Sequence, residues 1–98
     1  MDTLKKHSGT LHRLAWHRLR YDRAAEAEPL YRLLALLEPD AFAPRAGLAY
    51  ALLLQSGGRD LDEQMSRLRS LATLPAERRA LDRLERRRSR LADAPATF

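Results

Sequence analysis

Apolar residues recur three and four positions apart in five blocks along the chain, and turn-forming residues separate the blocks. The first block predicts a helix over about 10–21. Ser8 or Thr10 is the expected cap, because either hydroxyl can accept an unpaired N–H of the first turn. The second predicts a helix from Ala24 to Leu37, stopped by Glu38-Pro39, with Pro29 expected to shorten or kink its start. The third runs from Pro44, which suits a first turn, to Gln55, where Gly57-Gly58 offer the left-handed stop. A fourth begins near Asp60, with Glu63 three residues on in capping-box register, and ends before Pro75. A fifth spans Glu77 to Asp93. No block alternates with a period of two, and Ile and Val are absent, so no strand is predicted. The chain reads as all-α.

The helices repeat. Leu14-Ala15-Trp16 returns as Leu48-Ala49-Tyr50, an offset of 34 residues, and the same shift carries Leu19 to Leu53, Ala27 to Leu61, Tyr31 to Met65, Leu34 to Leu68 and Leu37 to Leu71. A helix–turn–helix unit with this period is the tetratricopeptide signature. The consensus slots read Leu11, Leu14, Ala15, Ala27, Tyr31, Leu34 and Pro39, with Ala15 where Gly is usual and Leu34 where Ala is usual. The expected organisation is one domain. Repeat one covers about 8–41, repeat two about 42–75, and a capping helix about 76–93. A third repeat fails because Arg83 stands in the small-residue slot of Ala15 and Ala49.

In such a repeat one side of each first helix packs on its neighbours, and the other lines a concave groove. The groove positions are His12, Trp16, Leu19 and Arg20, followed by Ala46, Tyr50, Leu53 and Leu54. Leu14, Ala15, Leu48, Ala49 and Leu52 take the core positions. The third helix is therefore apolar on every side over Gly47 to Leu54, and a helix of that kind must be covered on every side. A chain this short does not supply the whole cover. An exposed apolar groove that receives an amphipathic helix of another chain is expected. The alternative is cover in cis, with Leu81, Leu84 and Leu91 of the last helix folded into the groove, or a mixture of the two.

Length and composition bear this out as far as they reach. With 98 residues, one domain forms and buries roughly two-thirds of its unfolded surface. An apolar content of 45% describes a globular chain, and zero Cys excludes disulfides, thiolate zinc and a cysteine nucleophile. The longest apolar run, Leu48 to Leu54, is far too short to span a membrane. The stretch from Leu11 to Leu19 is broken by His12, Arg13, His17 and Arg18, so it has no signal-peptide apolar region. A cytoplasmic protein without membrane insertion is expected.

The net charge of +5 raises the question of nucleic acid. From Pro75 onward there are seven Arg against four acidic residues, including Arg86-Arg87-Arg88 and Arg90. Glu77, Asp82 and Glu85 are interleaved with them, and no aromatic residue alternates with the Arg to stack on bases. A solvated cap is the favoured reading, and nucleic acid is disfavoured. Arg13, Arg18, Arg20 and Arg23 on one side and Glu26 and Glu28 on the other are expected to tune partner choice at the groove rim. Catalytic chemistry finds no support. His12 and His17 are five apart rather than four, there is no HExxH, and Gly57-Gly58 lacks the Lys-Ser/Thr of a phosphate loop. The acidic residues at helix starts complement the helix dipole. No enzyme activity, metal or cofactor is expected.

Leu14-Ala15-Trp16, then Leu19, Ala24, Ala27, Leu30, Leu34 and Leu37-Glu38-Pro39, run without gaps along the first repeat of the SctY (YscY-type) chaperones of type III secretion, which this chain resembles. Arg45, Leu52-Leu53 and Gly58 continue the likeness, which covers about residues 11–71. The C-terminal third departs from it, being shorter and richer in Arg than a full third repeat. The resemblance implies a bacterial cytoplasmic chaperone that binds a small early-secreted export component (SctX type) and docks the pair on the cytosolic domain of the export-gate protein. The needle-subunit co-chaperone of the same systems and a generic tetratricopeptide interaction module are the alternatives.

Overall fold

A computed structural model describes residues 6–55 and 58–92. The described residues form five helices and no strand: α1 Ser8–Arg20, α2 Ala24–Leu37, α3 Phe42–Leu54, α4 Arg59–Leu71 and α5 Pro75–Ala92. The main packing among the first four is between neighbours in the chain, α1 with α2, α2 with α3 and α3 with α4. α1 also touches α3, and α5 lies against α3 and α4. Short connections between successive helices give helix pairs in a repeat-like arrangement.

The 34-residue offset is visible in burial. Ala15 and Ala49, Leu19 and Leu53, Ala27 and Leu61, Tyr31 and Met65, and Leu34 and Leu68 are buried at both positions of each pair. Leu14 breaks the symmetry. Its equivalent Leu48 is buried, whereas Leu14, expected in the core, is 40% exposed. α1 is the first helix of the stack, and the described residues contain no earlier repeat to cover that side. α3 is buried broadly, from Pro44 through Leu53, because it is the central helix, with neighbours from α1, α2, α4 and α5. This accounts for its lack of a polar face.

Helix ends differ from the sequence expectation. Neither Ser8 nor Thr10 caps α1; the helix opens at Ser8 after His7, and the Thr10 hydroxyl instead accepts from Arg13 at 3.3 Å. α3 begins at Phe42, two residues before Pro44. Asp60 is no cap either. α4 opens at Arg59 behind Gly58, whose φ of 99° lies in the left-handed region that favours glycine. Gly58 thus starts α4 rather than stopping α3, and Gly57 lies outside the described residues. Asp60 and Asp62 in the first turn of α4 complement its dipole. A carboxylate that does cap is Glu77, which accepts from the N–H groups of Thr73 (3.2 Å) and Leu74 (3.1 Å) ahead of Pro75. Pro29 does not shorten α2, which begins at Ala24. Pro29 and Ala25 are both exposed, so water can satisfy the Ala25 carbonyl that Pro29 leaves without a donor.

α5 is part of the fold. Leu81 and Leu84 are buried, and Arg69–Glu85 (3.1 Å) and Arg88–Asp62 are ion pairs between α4 and α5. The expected stripe of Leu81, Leu84 and Leu91 ends early, since Leu91 is 52% exposed.

One buried charge stands out. Arg45 is 9% exposed, donates to the Gln64 side chain at 2.9 Å, and has no hydrogen-bond partner for its Nε. No carboxylate among the described residues pairs with it. Burial, and then the nearby Arg67, lower its pKa. A desolvated guanidinium with one neutral partner does not favour folding. Replacing both groups, Arg45→Met with Gln64→Leu, is expected to raise stability by about 1–2 kcal/mol, read from the urea midpoint. A lower midpoint would show that the pair stabilises the fold.

Candidate functional site

A groove of about 890 Å3 lies between α1, α3 and α5. Each wall presents one helical face. α1 supplies His12, Arg13, Trp16 and Leu19; α3 supplies Phe42, Ala43, Ala46, Gly47 and Tyr50; α5 supplies Ala80, Arg83, Leu84, Arg86, Arg87 and Arg90. These positions recur three and four apart, so each set lies on one side of its helix. Tyr31 reaches the groove from α2, beneath α3.

The approach of Tyr31 depends on Gly47. A Cβ at position 47 would overlap the Tyr31 ring, so the bare backbone of α3 is what lets this ring lie against it. The ring is buried, which raises the pKa of its hydroxyl through desolvation.

Trp16, 57% exposed, and Tyr50, half-buried, both line the groove. The Arg87 guanidinium stands 5.1 Å from the centroid of the Tyr50 ring, within cation–π range. At the α1 edge, His12 Nε2 lies 3.2 Å from a Glu38 carboxylate oxygen, linking α1 to the end of α2.

Of the eight groove residues expected from sequence, His12, Trp16, Leu19, Ala46 and Tyr50 come together here, and Arg20, Leu53 and Leu54 do not. Arg20 is exposed outside the groove. Leu53 is 7% exposed and belongs to the core, as does its equivalent Leu19, whose flank still reaches the groove floor. Leu54 is exposed at the last position of α3, beyond the groove. Of the α5 wall the sequence reading named only Leu84, as part of cover in cis, and it missed Ala80, Arg83, Arg86, Arg87 and Arg90. Its signal was present in Ala80, Arg83, Leu84, Arg87 and Arg90, which share the spacing of the other two walls. From sequence, Arg83 marks the failure of a third repeat and counts among the Arg of a solvated cap. α5 does not fill the groove in cis; it forms its third side and leaves it open.

Among the described residues, no group of three or more His, Asp or Glu is placed to hold a metal ion, and no helix is long and apolar enough to cross a membrane. No family model matches the chain, and neither does any curated protein or solved structure.

Proposed function

We propose that the protein is a non-enzymatic chaperone that receives one amphipathic helix of a client in the groove between α1, α3 and α5. The observation that carries this reading is a groove with exposed Trp16 and half-buried Tyr50 in a largely apolar lining that the described helices leave open. A surface of this composition costs free energy in water and is relieved by an apolar helix face. The first-repeat likeness to SctY-type chaperones makes the client a small SctX-type export component of type III secretion, with delivery to the cytosolic domain of the export gate as the next step. The place of action on this reading is the bacterial cytoplasm.

The test is co-expression with an SctX-type protein from the same genome, followed by calorimetric titration of the separated partners. A one-to-one complex is expected. Trp16→Ala with Tyr50→Ala should weaken it by at least tenfold, because buried aromatic anchors each contribute about 2 kcal/mol or more to such interfaces. The helical signal at 222 nm should stay unchanged, since Trp16 is exposed and Tyr50 only half-buried. Leu53 is unsuited to this purpose, because truncating a core residue damages the fold as well as the groove. Wild-type affinity in the double variant would remove the groove from the binding reaction.

A further inference from the structure

We propose that the groove selects an acidic client helix, one with Glu or Asp flanking its apolar stripe, and that the α5 wall makes this choice. The inference rests on the helix-binding reading above and adds the chemistry of the occupant. Five Arg line the groove, Arg13 from α1 and Arg83, Arg86, Arg87 and Arg90 from α5, and no carboxylate lines it. Among the described residues none of these five has a carboxylate within ion-pair distance. Outside the groove, among the described residues, ion pairs form at Arg18, Arg23, Arg32, Arg69 and Arg88. Arg88 pairs with Asp62 and Arg69 with Glu85 away from the groove, and Arg32 is held by Glu28 and Asp60.

Every Arg–carboxylate pair among the described residues therefore lies outside the groove, and the five Arg that line it are left to a partner. Four of the five come from one helix at positions 83, 86, 87 and 90, which places them as a row along one wall. A row of guanidiniums beside an apolar floor fits an amphipathic helix whose polar margin carries carboxylates, each able to accept charge-assisted hydrogen bonds. Arg87, resting over the Tyr50 ring at 5.1 Å, holds a position between the apolar floor and that margin. The same field repels basic helices and quickens encounter with acidic ones. Single-stranded nucleic acid would also meet the charge, but no aromatic residue stands among the Arg of α5, and Tyr50 is already in contact with Arg87.

Trp16 is the single Trp of the chain and lies in the groove, so its emission reports occupancy directly. The probes are three peptides of about five helical turns with one shared Leu/Phe stripe and margins of Glu, Gln or Lys. The Gln peptide is expected to bind and shift Trp16 emission to the blue. The Glu peptide should bind at least about tenfold more tightly than the Lys peptide at low salt, with the ratio collapsing as salt rises. Arg83→Gln with Arg87→Gln and Arg90→Gln should erase the ratio, so that the Glu, Gln and Lys peptides bind that variant alike. These three side chains are exposed and take no part in ion pairs among the described residues, so the variant is expected to fold.

Equal binding of the Glu and Lys peptides overturns the proposal, and so does a preference that survives the triple substitution. Displacement of the Glu peptide by oligouridylate at a concentration below the peptide's own overturns it in favour of nucleic acid. A dimer that buries Trp16 without any peptide overturns it in favour of a second copy. If no peptide, the Gln one included, moves the emission, it is the helix-binding reading itself that fails.

Discussion

Gly47→Ala is expected to destabilise the protein by about 1–3 kcal/mol, although the same exchange inside a helix ordinarily stabilises by about 1 kcal/mol. Gly47 lies in the interior of α3, where propensity alone favours Ala. The Tyr31 ring decides the sign. It is buried against the Gly47 backbone, and a Cβ there would overlap three of its carbons. Tyr31 is rigid and packed beneath α3, so the overlap is relieved only by moving the ring or separating α2 from α3. In a domain of this size each kcal/mol lowers Tm by about 4–8 °C, which calorimetry resolves easily. The decisive measurement is a double-mutant cycle with Tyr31→Leu. That change removes the ring, and in its background Gly47→Ala should be neutral or stabilising, giving a coupling of about 1–3 kcal/mol. Additive effects would mean that the contact is relaxed in solution. Because the ring also lines the groove, the single variant should weaken peptide binding together with stability.

This Gly–Tyr contact marks the limit of what the chain reveals as a sequence. The 34-residue offset gave the repeat, and burial follows it closely from Ala15 and Ala49 to Leu34 and Leu68. That regularity is legible because each repeat is a local unit whose apolar positions recur at fixed spacing. Gly47 passed as one more small residue in an apolar run. Its importance is a matter of which ring lies opposite, and that depends on how α2 packs on α3. Leu53 and Tyr50 show the same limit on a finer scale. Both are apolar and three apart on α3, yet Leu53 joins the core while Tyr50 faces the groove, and only the relative rotation of the neighbouring helices separates them. The cap expectations at Ser8, Thr10 and Asp60 failed for another reason. Residue type permits a cap, but the turn that precedes the helix decides whether the side chain reaches an N–H. α5 was legible as a helix, whereas its place as a wall was hidden by an Arg in a small-residue slot. α5 lies against α3 and α4 less closely than α3 packs on α2, so Arg83 needs no small neighbour, and it faces the groove.

Leu81→Ala with Leu84→Ala is expected to lower global stability by roughly 4 kcal/mol or more, a large fraction of the 5–15 kcal/mol typical of a single domain. Both leucines are buried where α5 meets α3 and α4, and each truncation removes apolar burial and leaves a cavity. Leu91→Ala on the same helix is the control. That side chain is 52% exposed, and its loss should change stability by no more than about 0.5 kcal/mol. Urea unfolding followed at 222 nm separates two pictures of α5. If the helix is an integral part of the fold, the wild type unfolds in one transition and the double variant unfolds in one transition at a lower midpoint. If it is a solvated appendage, the double variant loses part of its helical signal before urea is added, and the remaining transition keeps the wild-type midpoint. The first outcome is expected, because α3 is apolar on the side that α5 covers and α1 to α4 leave that side open. It also bears on recognition. Four of the five groove Arg belong to α5, so a variant in which α5 detaches should lose preference for acidic helices before it loses all affinity for apolar ones.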